Sequence, residues 1–518
     1  MASRTSRSIH NSIVALTMYI VNLILQFFSR KVFIDYLGTD VLGLNTTTTN
    51  LLQFLNLAEL GITSAVAFSL YKPLQDHNQD AISEIVSLQG HIYRRIALII
   101  IGGACVLMLF FPWIFKKMNL PLWYAYVSFG SLLVGSLLGY FVNYKQIVLT
   151  ANQEDYKVLY SYKSIMLLKV LIQIFAIWKF NDGFIWWAVL EIVFAIIASI
   201  ALHITTVNNF PFLRKSKLSY KELKNKYIDF SKKIKQLFFH KLGTFVLTQT
   251  SPLIIYAYAD LTLVALYGNY LIILTGLHVL MLSLFNSINA GVGDFLVTQD
   301  KKNVLFFYKE LFSVRFLIIA ILCFCAYNLS SKFIVLWIGY DFVLPNVTLG
   351  LMVLSLFLNL ARGTTDSFIN GYGLYGDIWS PVVEAVINIS SSIFLGYFYG
   401  LNGIITGVII SQMLILYIWK PYYLFSRKLK GYMCKYIIMF SSHIFWAILV
   451  WIFSEWIINK QLNTISNLPL SYKSFIIQGI TYSLVYGIIL SIILCISKCG
   501  LNMFYWRIFE FIKKRLSH

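Results

Sequence analysis

Residues 51 to 70 read LLQFLNLAELGITSAVAFSL. As a helix rising about 1.5 Å per residue, this run is long enough to cross the roughly 30 Å of a bilayer's hydrocarbon core. It carries one charge, Glu59, near its middle. The run is either a core helix of a soluble protein or a membrane span with an inward-facing carboxylate. The rest of the chain decides between them. Its 518 residues are 58% hydrophobic and only 12% charged, with a mean hydropathy of +0.72, whereas soluble domains carry about a quarter charged residues. Apolar stretches of span length recur from end to end, about 14 in all. They cover approximately 11–30, 42–70, 93–115, 121–147, 157–180, 183–207, 240–258, 262–293, 309–329, 344–370, 380–399, 402–423, 433–458 and 473–497. The expected fold is an all-α polytopic membrane protein.

The opening MASRTSRSIHNSIVALTMYIVNLILQFF has a basic start and an apolar core without a small-x-small cleavage site, so it is expected to stay as the first helix. An even number of spans puts both termini on one side. Most of the 42 lysines and arginines fall on segments that share that side, which predicts cytoplasmic termini. Orientation and anionic lipid then account for the net charge of +20 without nucleic acid as a partner. The Cys323-x-Cys325 and Cys495-x3-Cys499 pairs have no histidine beside them, and neither a metal site nor a cofactor is expected.

The only long polar connection, 208–239, separates an expected N-terminal lobe (1–207, six spans) from a C-terminal lobe (240–425, six spans). Two further helices (426–498) and a basic interfacial tail (499–518) follow. Sliding the chain along itself so that Tyr36 meets Tyr256 also pairs Asp40 with Asp260, Gln79 with Gln299, Asp80 with Asp300 and Arg95 with Arg315. Repeats that begin on the same side of the membrane imply a pseudo-two-fold axis along its normal. Within the connection, Leu223, Tyr227, Phe230, Ile234 and Leu237 recur at four- and three-residue steps among lysines, as in a helix lying in the lipid interface.

Polar residues line up on several spans. At about 100° per residue, Asn45, Thr49, Gln53, Asn56, Glu59 and Thr63 share one face. Asn11, Asn22, Gln26 and Ser29 share another, with Arg30 at its edge. Thr275, His278, Asn286 and Asn289 align on a third, and Ser355, Asn359, Arg362, Asp366 and Asn370 on a fourth, where Arg362 and Asp366 are spaced to pair. Lys169 and Glu191 stand at similar distances from the turn near Asn181 and are expected to meet, either as a structural pair or as part of a path. Polar side chains also glue helices together, and a lone His278 reads as a hydrogen-bonded core residue as readily as a proton carrier. Lanes on several helices at once point to a hydrated interior suited to hydroxyl-rich cargo. There is no phosphate-binding loop and no metalloprotease motif, and the outer loops are short, so transport fits better than catalysis.

The pair Arg30-Lys31, Tyr36-Leu37-Gly38, Gly43-Leu44, ELGI at 59–62 and LYKPL at 70–74 together resemble the polysaccharide (O-antigen or capsule) flippase family of the multidrug/oligosaccharidyl-lipid/polysaccharide (MOP) exporter superfamily. The resemblance implies a bacterial inner-membrane protein that moves an undecaprenyl-pyrophosphate-linked oligosaccharide to the periplasmic leaflet by alternating access, driven by an H+ or Na+ gradient. It also implies glycan polymerase and glycosyltransferases of the same pathway as partners, besides anionic lipids. Under it Arg30, Asn22, Gln26, Asn45, Gln53, Asn56, Glu59, His278, Asn286, Asn289, Asn359, Arg362 and Asp366 are the candidate substrate contacts, and Glu59 and His278 the candidate coupling groups. A multidrug-and-toxin-type exporter and a membrane glycosyltransferase or polymerase are the alternatives.

Overall fold

A computed structural model describes residues 4–59, 61–227, 238, 251–298, 300–374, 376–377, 379–466, 468–497 and 500–507. Among the described residues every regular element is helical, as a chain in lipid requires when all its backbone groups must be satisfied within a segment. Among the described residues, eleven helices are long and apolar enough to cross a membrane. The difference from the expected count has local causes. The stretch 42–70 is broken in its middle, Ser380–Arg427 is one entity covering two expected stretches, and most of 240–258 lies outside the described residues. The chain divides into two compact units, Met1–Ala265 and Leu266–His518.

In the first unit, helix α1 (Arg4–Leu37) is followed by α2 (Thr39–Leu55), a 3-10 turn (Asn56–Glu59) and α3 (Ile62–Gln75). Gly61 sits at φ +89°, a left-handed conformation that a residue without a Cβ adopts freely. The helix therefore stops and restarts inside the membrane-length run, and the single lane from Asn45 to Thr63 does not exist as one helical face. Helix α4 (Gln79–Leu109) is capped by Asn78, whose Oδ1 accepts from the Ala81 N–H at 3.0 Å. Then come α5 (Trp123–Phe141), α6 (Ser164–Lys179) and α7 (Gly183–Asn209). Ile62, Ala65, Val66 and Leu70 of α3 are buried against Ile82, Ile85 and Ile96 of α4, while Leu98 and Ile99 of α4 are exposed to the surroundings. In lipid, apolar burial gives no advantage over the acyl chains, so this packing is held by close contact and by the polar bonds described below.

The basic connection begins as protein rather than lipid anchor. Helix α8 (Tyr220–Lys226) starts on a Ser219–Glu222 capping box, in which the Ser219 backbone N–H and hydroxyl hold the Glu222 carboxyl below its usual value. Leu223, expected in lipid, is fully buried in the first unit's core. Lys226 and Tyr227 donate to Glu84 at 2.7 and 2.8 Å, the Arg95 guanidinium lies 4.0 Å over the Tyr220 ring, and Ser87 accepts from the Ser216 N–H at 2.8 Å. The first two residues of the stripe, Leu223 and Tyr227, are thus engaged by the protein. Phe230, Ile234 and Leu237 lie outside the described residues.

The second unit is built on α9 (Leu261–Thr298), α10 (Lys301–Trp337), α11 (Asn346–Ala361), α12 (Gly363–Gly371), α13 (Ser380–Gln412), α14 (Lys420–Arg427), α15 (Met433–Lys460) and α16 (Tyr472–Ile496). Tyr308, Phe312, Phe316 and Phe324 of α10 form the core with Tyr436 and Val450 of α15 and Tyr486 and Leu490 of α16. The tail, expected at the interface, starts docked: Leu501 is buried and Arg507 pairs with Glu310 at 2.8 Å. Residues 508–518 are outside the described set. Helix α13 turns back on itself at Gly400, and Gly403 and Gly407 let the second arm lie directly on the backbone of Leu395 and Ser392. A Gly407→Ala methyl meets the Ser392 backbone, so the arms must part. The expected loss is about 1–3 kcal/mol, the usual cost of overpacking, read as a lower unfolding midpoint in detergent, whereas Gly102→Ala, which faces open space, stays neutral.

Candidate functional site

Two polar clusters stand inside the units. In the first, the break after α2 turns Asn56 and Glu59 toward α4 and α5. The Asn56 Oδ1 accepts from the Ser136 and Tyr140 hydroxyls, each at 3.1 Å. One Glu59 oxygen accepts from the Tyr93 hydroxyl at 2.8 Å and from Thr63 at 2.9 Å. These groups, with Gln89 and Tyr144, line a cavity of about 290 Å³. Its floor reaches Gln146, Ile147 and Thr150, beyond the end of α5.

In the second unit, Asp366 is shared by two cations. Its Oδ2 lies 3.3 Å from the Arg362 Nε and its Oδ1 3.0 Å from the Lys420 Nζ. Glu384, only 3% exposed, lies within electrostatic reach of both cations, as His278 does of Arg362. Asn359 donates to the Ser355 carbonyl at 3.2 Å, one turn back along α11. Deeper in the unit, Arg315 donates to Ser367 at 2.9 Å and to the Phe285 carbonyl at 3.3 Å, with its guanidinium 5.0 Å from the Phe285 ring centre.

Neither a family model nor a curated protein matches the chain. Solved structures do. The lipid II flippase MurJ in an inward closed conformation aligns over 94% of this chain and 99% of its own, with a TM-score of 0.63 and 16% identity. An inward-facing multidrug resistance MATE family transporter of the MOP superfamily aligns over 81% and 99%, at 0.57 and 12%. MATE in a bent conformation aligns over 81% and 94%, at 0.51 and 12%. The chain shares its fold with the flippase and with the MATE transporter. It is a multi-pass membrane protein by the length and apolarity of its described helices, and the structures named above that share its fold are described as transporters and a flippase.

On this fold the residues expected from sequence separate into distinct settings. Asn56 and Glu59 share the first cavity, and Arg362 and Asp366 pair as their spacing predicts. Asn45 and Gln53 are half-buried on α2 outside that cavity, and the Asn45 Oδ1 has no partner among the described residues. On α1, Asn22 is half-buried and Gln26 exposed. Arg30 donates to the Ala265 carbonyl at 3.0 Å, within the first unit. Asn11, placed on the same expected face, instead clamps the turn after residue 152. It donates to the Gln153 carbonyl at 2.9 Å and accepts from the Tyr156 N–H at 3.0 Å. The side chains of Asn286 and Asn289 lie outside the described residues. Lys169 and Glu191 meet at 2.6 Å.

Several members of these clusters were missed. Gln89 with Tyr93, and Ser136 with Tyr140, are each four residues apart, so they share helix faces in the same way as the lanes that were read. That spacing was a usable signal. Glu384 is a carboxylate in the apolar stretch 380–399 and carried the same signal as Glu59. Lys420 gave none, because a lysine near the end of a span reads as a topology charge.

Proposed function

We propose that this protein is a flippase that carries a polyprenyl-pyrophosphate-linked oligosaccharide, an O-antigen or capsule repeat unit, from the cytoplasmic to the periplasmic leaflet by alternating access. The observation that carries the reading is the extent of the fold match: 94% of the chain is covered by a lipid II flippase, against 81% by the MATE structures. The chain extends beyond the fold common to small-molecule exporters in a manner shared with a lipid flippase. The flanking motifs ELGI and LYKPL agree with it. The polar clusters supply what such a cargo needs, because moving sugar hydroxyls and phosphate charge through hydrocarbon unaided is prohibitive. In this reading Asn56 and Glu59 serve the glycan, and Arg362 with Lys420 serves the pyrophosphate. An H+ or Na+ gradient drives the cycle through Glu59 or His278. The protein resides in the bacterial inner membrane with cytoplasmic termini, alongside the polymerase and glycosyltransferases of the same pathway and anionic lipids. The MATE matches favour a second reading, export of small molecules.

The test is the sidedness of lipid-linked glycan in cells lacking the chain. Accumulation in the inner leaflet, relieved by restoring the gene, is the expected result. Normal sidedness together with a new sensitivity to cationic drugs would replace the flippase with the exporter.

A further inference from the structure

The cavity around Glu59 has a composition that the flippase reading does not require. Its lining offers hydroxyls from Thr63, Tyr93, Ser136 and Tyr140, amides from Asn56 and Gln89, and one carboxylate. Among the described residues, no lysine, arginine or histidine lines it, although the chain carries +20 overall. At about 290 Å³ it stands at the small end of the roughly 300–1,000 Å³ range of small-ligand sites, which suits a single sugar ring rather than a whole repeat unit. Gln89 is 1% exposed and its Oε1 has no hydrogen-bond partner among the described residues. A buried acceptor left without a partner is costly, and here it borders the cavity. The Tyr93 ring packs edge-on to Tyr140 and Tyr144, with centroids 5.4 and 6.3 Å apart. These contacts hold the phenol groups that line the cavity in place. The wall is open at Gly139, where an added Cβ would meet nothing within 4 Å.

We propose that this cavity is a monosaccharide subsite that accepts a sugar ring with neutral hydroxyl or amide substituents and rejects one bearing a carboxylate. The inference rests on the flippase reading and deepens it by naming the class of sugar. Sugar hydroxyls both donate and accept, so they match a lining of phenols, amides and a carboxylate. An acidic sugar would place its charge beside Glu59 with no cation in the lining to offset it, and selectivity of this kind comes from a repulsive group as much as from attractive ones.

The experiment is saturation-transfer NMR on the full chain in lipid nanodiscs, titrated with a methyl hexopyranoside and, separately, with a hexuronate. The neutral probe is expected to bind about tenfold more tightly than the acidic one, and Glu59→Gln is expected to bring the two within roughly threefold by removing the repelling charge. Gly139→Leu, which fills the open wall, abolishes both signals. Gln89→Leu removes the unpartnered acceptor without burying a new polar group, so it folds and weakens the neutral probe in case Gly139→Leu does not accumulate. Equal binding of both probes, a preference unchanged in Glu59→Gln, or no binding of either at tens of millimolar would each overturn the proposal. Binding is read here without transport, and glycan sidedness is read without free sugar. Loss of the subsite is thereby distinguished from loss of the flippase reading.

Discussion

Lys169→Ala is expected to cost about 3–5 kcal/mol of stability, the usual penalty for leaving one partner of a buried ion pair uncompensated. The Lys169 and Glu191 side chains are only 10% and 13% exposed, and the ammonium lies 2.6 Å from the Glu191 Oε1. The second carboxylate oxygen is also engaged, accepting from Gln173 at 3.1 Å, while Gln173 donates to the Trp187 carbonyl at 3.0 Å. Removing the lysine strands a carboxylate between α6 and α7 in a setting where water cannot replace the lost cation. The double variant Lys169→Met with Glu191→Leu removes both charges and is expected to return within about 1 kcal/mol of the starting stability, since apolar replacements of buried pairs are often neutral. Unfolding midpoints of the purified protein in detergent check both values. Transport by the double variant decides the role. Activity kept at the normal level makes the pair structural, and activity lost from a stable protein puts it on the path.

That pair also shows which parts of the structure were legible in the sequence. Lys169 and Glu191 stand at matching distances from one short turn, so a hairpin brings them together whatever else the chain does. Arg362 and Asp366 lie on one helical stretch, where spacing alone decides that they meet. The inward direction of Glu59 followed from the cost of a charge in lipid. Less legible were the contacts between helices far apart in the chain. With 33 tyrosines, nothing in composition marks Tyr93 and Tyr140 as the two that reach Glu59 and Asn56. The expected lane assumed an unbroken helix, and Gly61 ends that assumption with one left-handed residue. In the connection, periodicity identified an apolar stripe without saying whether lipid or α4 would cover it. Leu223 went to the protein because Glu84, Ser87 and Arg95 supply polar partners along the same groove.

The Asp366 cluster carries a prediction whose sign separates binding from mere stability. Arg362 and Lys420 bring two cations to Asp366, with the Glu384 carboxyl within electrostatic reach of both. The three in direct contact are 21–27% exposed, too buried for solvent to replace a missing partner fully. Asp366→Ala leaves both cations facing Glu384 alone, with an expected loss of about 3–5 kcal/mol. Lys420→Met should cost less, because Asp366 keeps Arg362 as its ion-pair partner. The combined variant restores charge balance and is expected to recover most of the Asp366→Ala loss. If the cluster holds a pyrophosphate, translocation responds to local charge as well as to folding. Lys420→Met removes one positive charge from the cluster and is expected to raise the apparent KM for the lipid-linked glycan about tenfold or more, a step of at least about 1.4 kcal/mol in binding. Asp366→Ala removes one negative charge and, in the fraction that folds, is expected to lower KM. A proteoliposome assay measured over a range of substrate concentrations reads both. Opposite shifts in KM place the phosphate at these two cations. If KM were unchanged while stability fell in both variants, the cluster would hold helices α11, α12 and α14 together and the anion would have to be met elsewhere.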